Sequence, residues 1–244
     1  MSAVVFGRRA QRRNDGQARS DERRITAMCS TFGGTMQRTP ALNERDALWF
    51  RERGFSVVQS LVMLRRNTIV SVPETAAAHA PRLAAEGINR SSWRTLRGRR
   101  QAALLSSLLR LDEIAFPAPW TLHRDAFARA CAATSDHAVL THNMATEPSL
   151  LGGYALVGRT AHTAYLQRLA VHPTLRRRGL GSALVWESLA WAYARGATEL
   201  YVNTEPHNEA ALALYRTLGF VTVPEQLTVL ERELSHLGRP GHLK

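Results

Sequence analysis

The apolar positions of the chain change period several times, and each change predicts an element. Helical spacing begins at Asn43 and ends at Gly54, and a strand-like run from Phe55 to Leu64 follows. Residues 67–100, with Pro73, Pro81, Gly87 and an arginine cluster, read as a connector of weak structure. In QAALLSSLLRLDEIAF, which starts at Gln101, Leu104, Leu108, Leu111 and Ile114 recur at helical spacing. The FPAPW segment then breaks the period with two prolines, and Thr121 is placed to cap a second helix running to Ala133. Strand-like runs start at His137, Leu150 and Thr163, and the short turn around Gly158 makes them an antiparallel meander. Pro173 ends the third strand and an arginine loop follows. A helix with Val185, Leu189 and Ala192 at helical spacing, apolar on several sides, then runs to Gly196 and should be buried against a sheet. TELYVN predicts another strand, and NEAALALYRTLGF a helix with Ala211, Leu214, Tyr215 and Leu218 on one face, closed by Gly219. A strand pair, Phe220 to Val223 and Leu227 to Leu234, completes a mixed α/β pattern.

Composition narrows the class. At 244 residues and 45% apolar content, the chain can bury one substantial core, as one large domain or as a domain plus a fragment. Two cysteines, Cys29 and Cys131, are too few for a disulfide framework, and no apolar run reaches bilayer-spanning length, so a soluble cytoplasmic protein with no membrane partner is expected. The net charge of +12 is built from arginine, with Lys244 the single lysine, a bias that points to a GC-rich genome before it points to a binding surface. Residues 1–40 hold eight Arg against Asp15, Asp21 and Glu22 and have no sustained period. They read as a disordered basic tail, or as sequence upstream of a true start at Met28 or Met36 rather than Met1. No zinc spacing, aromatic RNA-binding pattern or helix-turn-helix supports a nucleic-acid partner, and the nine histidines show no metal-ligand spacing. His172 reads as a solvated loop residue.

RRRGLGSALVWESLAWAYARGA, residues 176–197, sets three arginines and two glycines at a helix mouth. Such a turn leaves backbone N–H groups unpaired and aimed at one spot, where the helix dipole also favours an anion. A nucleotide P-loop would need a lysine that is not there. A dinucleotide fingerprint would need glycine at Leu184, although Glu199 lies near where a ribose-binding acid belongs. An ordinary strand-loop-helix turn satisfies the same pattern.

The neighbouring residues add a resemblance. LAVHPTLRRRGLGSAL, the helix after it, the strand YVN and then N-x-x-A-x-x-LY-x-x-x-GF together resemble the GCN5-related N-acetyltransferase (GNAT) family over roughly residues 101–235. FPAPW is similar to the segment that borders the acceptor channel in the ribosomal-protein N-terminal alanine acetyltransferases of that family. The resemblance implies the family's acyl-CoA N-acyltransferase fold, acetyl-CoA as co-substrate and direct attack of an amine on the thioester. It places the acetyl-CoA contacts at Leu169, Val171, Arg176, Arg177, Arg178, Gly179, Leu180, Gly181, Ser182 and Asn208. Tyr215 matches the tyrosine that protonates the departing thiolate, with core packing as its other reading, and Asn208 is also a natural helix N-cap. The related alanine acetyltransferases carry a glutamate where this chain has Asn203. Base catalysis would then fall to Glu205, to a water held by Gln167 or Asn203, or to no group. That departure favours an acceptor amine of low pKa, such as a protein N-terminus at about 7.7 to 8, or a small amine.

An internal echo completes the reading. NERDALWFRERGF, residues 43–55, aligns without gaps to NEAALALYRTLGF, residues 208–220, and LVMLRR echoes LTVLER. Phe50 stands where the tyrosine would be and no glycine loop precedes it, so no chemistry is expected there. The domain plan is a tail over 1–40, a remnant of a GNAT repeat over 41–66, a connector over 67–100, the acetyltransferase domain over 101–235 and a C-terminal tail over 236–244. The assembly expected is a monomer or homodimer.

Overall fold

The computed structural model describes residues 20–26, 28–32, 35–68, 87–91, 93, 95–118, 120–144, 147 and 150–234. The connector prolines Pro73 and Pro81, the first 19 residues and the C-terminal tail lie outside them. The chain divides into two units, residues 62–225 and residues 1–61 with 226–244.

In the larger unit, the meander forms, but its last turn is at Ala161–His162 and Gly158 lies inside the strand before it, paired with Tyr165. Strands β5 (Asp136–Asn143), β6 (Leu151–Thr160) and β7 (Thr163–Val171) pair antiparallel. β4 (Ile88–Ser91), inside the expected connector, pairs with β5. On the other side, β7 runs parallel to β8 (Glu199–Thr204), and β8 pairs antiparallel with the second half of β3 (Ser56–Asn67). Helices α4 (Leu180–Ala194) and α5 (Glu209–Thr217) pack on one face, where Leu184, Val185, Leu189 and Tyr215 meet Ala155, Val157, Leu166, Leu200 and Leu64. Helices α2 (Gly98–Ala115) and α3 (Arg124–Ala132) cover the other face over β5 to β7, through Leu105, Leu108, Phe127, Val139, Tyr154 and Ala170. Covered on both faces, β6 is buried from Leu151 to Gly158, which is why LGGYALVG carries no polar alternation. The left-handed cap expected at Gly196 is present, with φ of 76°.

Three further expectations need correction. The buried face of α2 is Leu105, Leu108, Leu111 and Asp112, while Leu104 is only partly buried and Ile114 is 48% exposed. The helix is turned to bring Asp112, fully buried, against Arg168, whose Nε and Nη2 reach its two carboxylate oxygens at 2.8 and 2.7 Å. Thr121 does not cap α3, which starts at Arg124 after His123. The preceding segment is pinned to the same carboxylate instead: Leu122 N–H donates to Asp112 at 2.6 Å, and the Trp120 carbonyl accepts from Arg168 at 2.8 Å. The final strand pair is one strand, β9 (Val221–Glu233), with Pro224 at an exposed position where a missing N–H is tolerated.

The smaller unit revises the tail. Residues 20–26 are helical, and β1 (Ser30–Phe32) pairs with β2 (Met36–Arg38), which pairs with β9. Ile25, Cys29 and Leu42 pack with Ala47 and Phe50 of α1 (Glu44–Arg51) and with Phe55 and Leu230. Charged residues of that tail have partners: Arg24 lies over the Trp49 ring at 4.4 Å, Arg38 pairs with Glu231, and Asp21 accepts from Arg53 at 2.9 Å.

The echo extends from sequence to geometry. Asn43 accepts from Asp46 N–H at 2.9 Å and Asn208 from Ala211 N–H at 3.1 Å. Each helix closes with a bond from the phenylalanine N–H back across the glycine, Phe55 to the Phe50 carbonyl at 3.2 Å and Phe220 to the Tyr215 carbonyl at 3.0 Å. Gly54 and Gly219 are left-handed, with φ of 81° and 78°.

Burial also sets a pH limit on the fold. It raises Tyr154 well above its ordinary 10.0, raises Tyr215 as well, and pushes the Cys131 thiol from 9.0 up to about 12. An acid that holds its proton more tightly when folded contributes fully below its unfolded pKa, and the contribution is lost as pH rises through the folded one. The melting temperature should therefore be flat through neutral pH and fall from roughly pH 9 upward, as thermal melts across pH 6–11 would show.

Candidate active site

The glycine loop is built by the sheet beneath it. β7 ends at Val171, His172 accepts from the Thr174 N–H and sits 2.8 Å from its hydroxyl, and a single 3-10 turn, Pro173–Leu175, leads into the arginines. The solvated-loop reading of His172 thus becomes a local structural role. Arg177 is left-handed at φ 63° and Gly179 at 84°, so the chain reverses sharply before α4. Gly179 is the N-cap and has no side chain to cap with; the first helical bond runs from Ala183 N–H to its carbonyl at 3.0 Å. The N–H groups of Leu180, Gly181 and Ser182 therefore have no place in the helix ladder. The three arginines are exposed, with Arg176 reaching the Ala115 carbonyl at 3.2 Å.

Two glycines of β6 let this loop sit close. A Cβ on Gly152 would meet Leu175 at 2.5 Å, and one on Gly153 would meet Leu180 and Leu184 at 3.0 Å. Gly181 has ordinary room: an added Cβ would lie 3.5 Å from Leu214 and 3.8 Å from Val171. The helix mouth, the end of β7 and α5 thereby converge at Gly181. Leu169 and Val171 pack on the same core as Leu180 and Tyr215.

Beside the loop the sheet opens. The register of β7 with β8 ends at Leu166 opposite Val202, so the two strands part and residues 167–171 extend beyond the pairing. On its other edge, β7 carries a bulge, where Leu156 opposes Arg168 and Val157 opposes Leu166, leaving Gln167 as the extra residue. The bulge flips the side-chain parity. Ala164 and Leu166 face α4 and α5 before it, Leu169 and Val171 do so after it, and Arg168 is turned to Asp112 on the far side. Asp112 is fully engaged, also accepting from Tyr154 at 2.5 Å, and Gln167 donates to the Ala130 carbonyl at 2.7 Å. Nothing in the sequence pattern exposed this network: Asp112 in a helix and Arg168 in a strand look like surface charges until the fold buries them.

Of the remaining predicted residues, Tyr215 is 5% exposed with Phe220 at 5.6 Å between ring centroids, and its hydroxyl has no hydrogen-bond partner among the described residues. Desolvation raises its pKa, so it is a neutral phenol at any working pH. Asn208 is the N-cap of α5. Asn203 and Glu205 are exposed beyond the last β7–β8 pair, and the Glu205 carbonyl accepts from Asn208 N–H. No group of three metal-ligating side chains occurs among the described residues, and no helix there is long and apolar enough to cross a membrane.

Comparison with known proteins matches this geometry. The model of the Acetyltransferase (GNAT) family matches residues 105–220. The N-alpha-acetyltransferase RimI of Mycobacterium tuberculosis is 37% identical over 101 residues, 40% of this chain and 60% of that protein. The ribosomal protein bS18-alanine N-acetyltransferase of Escherichia coli K12 is 33% identical over 75 residues, 31% of this chain and 51% of that protein. The aligned stretch thus spans about half the length of these curated relatives. In fold, the crystal structure of a GCN5-related N-acetyltransferase from Sphaerobacter thermophilus aligns with a TM-score of 0.53 at 18% identity, covering 98% of this chain and 70% of that one. An uncapped helix mouth, a strand pair that parts beside it and a buried tyrosine on the next helix thus fall inside the stretch, residues 105–220, over which the chain matches the acetyltransferase (GNAT) family.

Proposed function

We propose that this chain moves the acetyl group of acetyl-CoA to a primary amine of low pKa, a protein N-terminus or a small amine. The observation that carries the reading is the mouth of α4, where Gly179 and Gly181 leave the N–H groups of Leu180, Gly181 and Ser182 open beside the gap between β7 and β8. Those groups suit a pyrophosphate, with Arg176, Arg177 and Arg178 adding charge-assisted bonds. The backbone of Leu169 to Val171, past the end of the β8 pairing, suits the pantetheine amides, and a donor there would polarise the thioester carbonyl. The amine nitrogen forms the bond to the acetyl carbon, the C–S bond breaks, and the amine's surplus proton leaves through water. Tyr215 donates to the departing sulfur.

Asn203 cannot take a proton, and this favours an amine already partly neutral at pH 7. It is also the observation behind a second reading, an acyl-CoA-binding module without turnover. Release of free thiol from acetyl-CoA across peptides, polyamines and small amines separates the two, since a module binds and releases none. The cofactor claim has its own test. Saturating acetyl-CoA, at 100 times its dissociation constant, should stabilise the parent by about 2.7 kcal/mol. Gly181→Ala, for which the space is ordinary, should fold and retain binding, while Gly181→Glu should fold and lose it, because its carboxylate repels the pyrophosphate. Titration calorimetry finding no saturable binding to the parent would remove both readings.

We also read residues 41–66 as the remnant of a second GNAT copy, residues 101–235 as the acetyltransferase domain, Asn208 as both cap and acetyl-CoA contact, and Glu205 as the nearest candidate base. The matched caps and closing bonds of α1 and α5 support the first of these.

A further inference from the structure

On the face of the sheet opposite α4 and α5, the core under α2 and α3 draws on β5, β6 and β7 and on no residue of β8 or β3. Here the side chains of Tyr165, Tyr201, Asn203, Met63 and Arg65 share one side. Tyr165 opposes Tyr201, Arg65 opposes Tyr201 and Met63 opposes Asn203, while the alternate residues Leu64, Leu166, Leu200 and Val202 go to the core on the other side. Tyr165 is 41% exposed, a large aromatic left in water with its ring stacked on Tyr201 at 6.0 Å and 30°. Tyr201 does not turn freely. Its hydroxyl donates to Glu199 at 3.2 Å, and Glu199 accepts from Arg65 at 2.5 Å. A rigid ring pair therefore lies two residues, about 6.6 Å along the strand, from Asn203 at the place where β7 and β8 part.

We propose that β3, the strand of the echo segment, helps build the acceptor subsite: Met63 and Arg65 complete a floor with Tyr165, Tyr201 and Asn203, and its ring pair selects peptides carrying a flat apolar side chain at the second or third residue. This rests on the acetyl-transfer reading, which places the acceptor amine at the gap beside Asn203. A chain extending from that amine along β8 passes over the rings within its first three residues. An aromatic side chain there gains stacking with rings already fixed in place, so little ordering is lost on binding. A copy that lost its own chemistry would thus be retained for what its strand shows the substrate.

The test uses the full chain, acetyl-CoA and the peptides Ala-Gly-Gly-Gly, Ala-Phe-Gly-Gly and Ala-Gly-Phe-Gly. At least one phenylalanine peptide should exceed the glycine peptide by about tenfold or more in kcat/KM, through KM. Tyr201→Ala should remove that preference, costing the favoured phenylalanine peptide about tenfold more in kcat/KM than the glycine peptide, with acetyl-CoA affinity unchanged. Arg65→Met, which frees Glu199 and loosens the ring, should weaken the preference in the same direction. Tyr165→Leu, at an exposed site, serves if Tyr201→Ala fails to fold. No preference in the parent, or equal losses on all three peptides, overturns the proposal. If the parent releases no thiol with any amine, the transfer reading fails by itself. The ring pair is then judged by equilibrium binding of the same peptides to protein saturated with CoA, where equal affinities overturn it.

Discussion

Deleting residues 1–67 should lower the melting temperature of the remaining chain by roughly 10 °C or more, or drive it into aggregates. Deleting 1–40 should leave residues 62–225 folded and binding acetyl-CoA. The reason lies in what Val62 to Asn67 contribute to the larger unit. They are a paired strand along β8, so their removal leaves β8 with a row of unpaired backbone groups. Leu64 is fully buried against the helices of the other face, and a leucine moved out of water contributes about 1.5 to 3 kcal/mol. Arg66 is buried as well, donating to the Leu218 carbonyl at 2.5 Å with its guanidinium 4.4 Å over the Trp186 ring, and a bond from a charged donor adds about 1.5 to 3 kcal/mol. Losing both takes several kcal/mol from a total that is ordinarily about 5 to 15. At about 2 to 4 °C per kcal/mol for a domain of this size, the shift is large. The 1–40 deletion touches none of these residues. It does remove Ile25 and Cys29 from the core around Phe50 and Leu230, so residues 41–61 and 226–234 should become more protease-sensitive. Calorimetric melts of the three proteins side by side decide the matter. Equal melting temperatures for the parent and the 1–67 deletion would make the echo strand dispensable.

The glycine loop was legible in the sequence because its chemistry is local: two glycines, three arginines and the following apolar helix are contiguous, and a left-handed residue at Gly179 is what such a turn requires. The meander was legible for a similar reason, since its strands are consecutive and its turns short. What could not be read was set by partners distant in sequence. Whether Asp112 faces in or out depends on Arg168, 56 residues away, and that choice turned α2 and delayed α3. The arginines up to residue 40 read as a solvated tail because charge is normally solvated. Trp49 and Asp46 take Arg24, and Glu231 takes Arg38, and composition cannot count those partners. The gap between β7 and β8 was also out of reach, because a strand pair that stops pairing after four residues leaves no mark on either run. Asn203 and Glu205 were named from likeness alone, and the structure gives each an exposed place at the mouth of that gap.

Tyr215→Phe should lower kcat by about 10²-fold and leave acetyl-CoA affinity and melting temperature nearly unchanged. The substitution keeps the ring that packs against Phe220 and removes only the hydroxyl, which has no protein partner among the described residues, so no buried acceptor is stranded. Acid–base groups usually contribute 10² to 10⁴, and burial decides where in that range this one falls. A thiol has a pKa of about 8.5, whereas desolvation lifts Tyr215 above its ordinary 10.0, so giving the proton up entirely to sulfur is uphill. Tyr215 therefore works as a fixed hydrogen-bond donor to the developing thiolate, and the net proton comes from the amine through water. The pH profile follows. For a peptide amine, kcat/KM should rise as the amine loses its proton near pH 8 and then hold to about pH 10, since Tyr215 stays protonated throughout. The phenylalanine variant should show the same profile displaced downward. A parent whose rate falls between pH 8 and 9 would contradict a tyrosine held neutral by burial, provided thermal melts show it folded there. Unchanged kcat in the variant would return Tyr215 to the core as a packing residue and leave the thiolate to solvent.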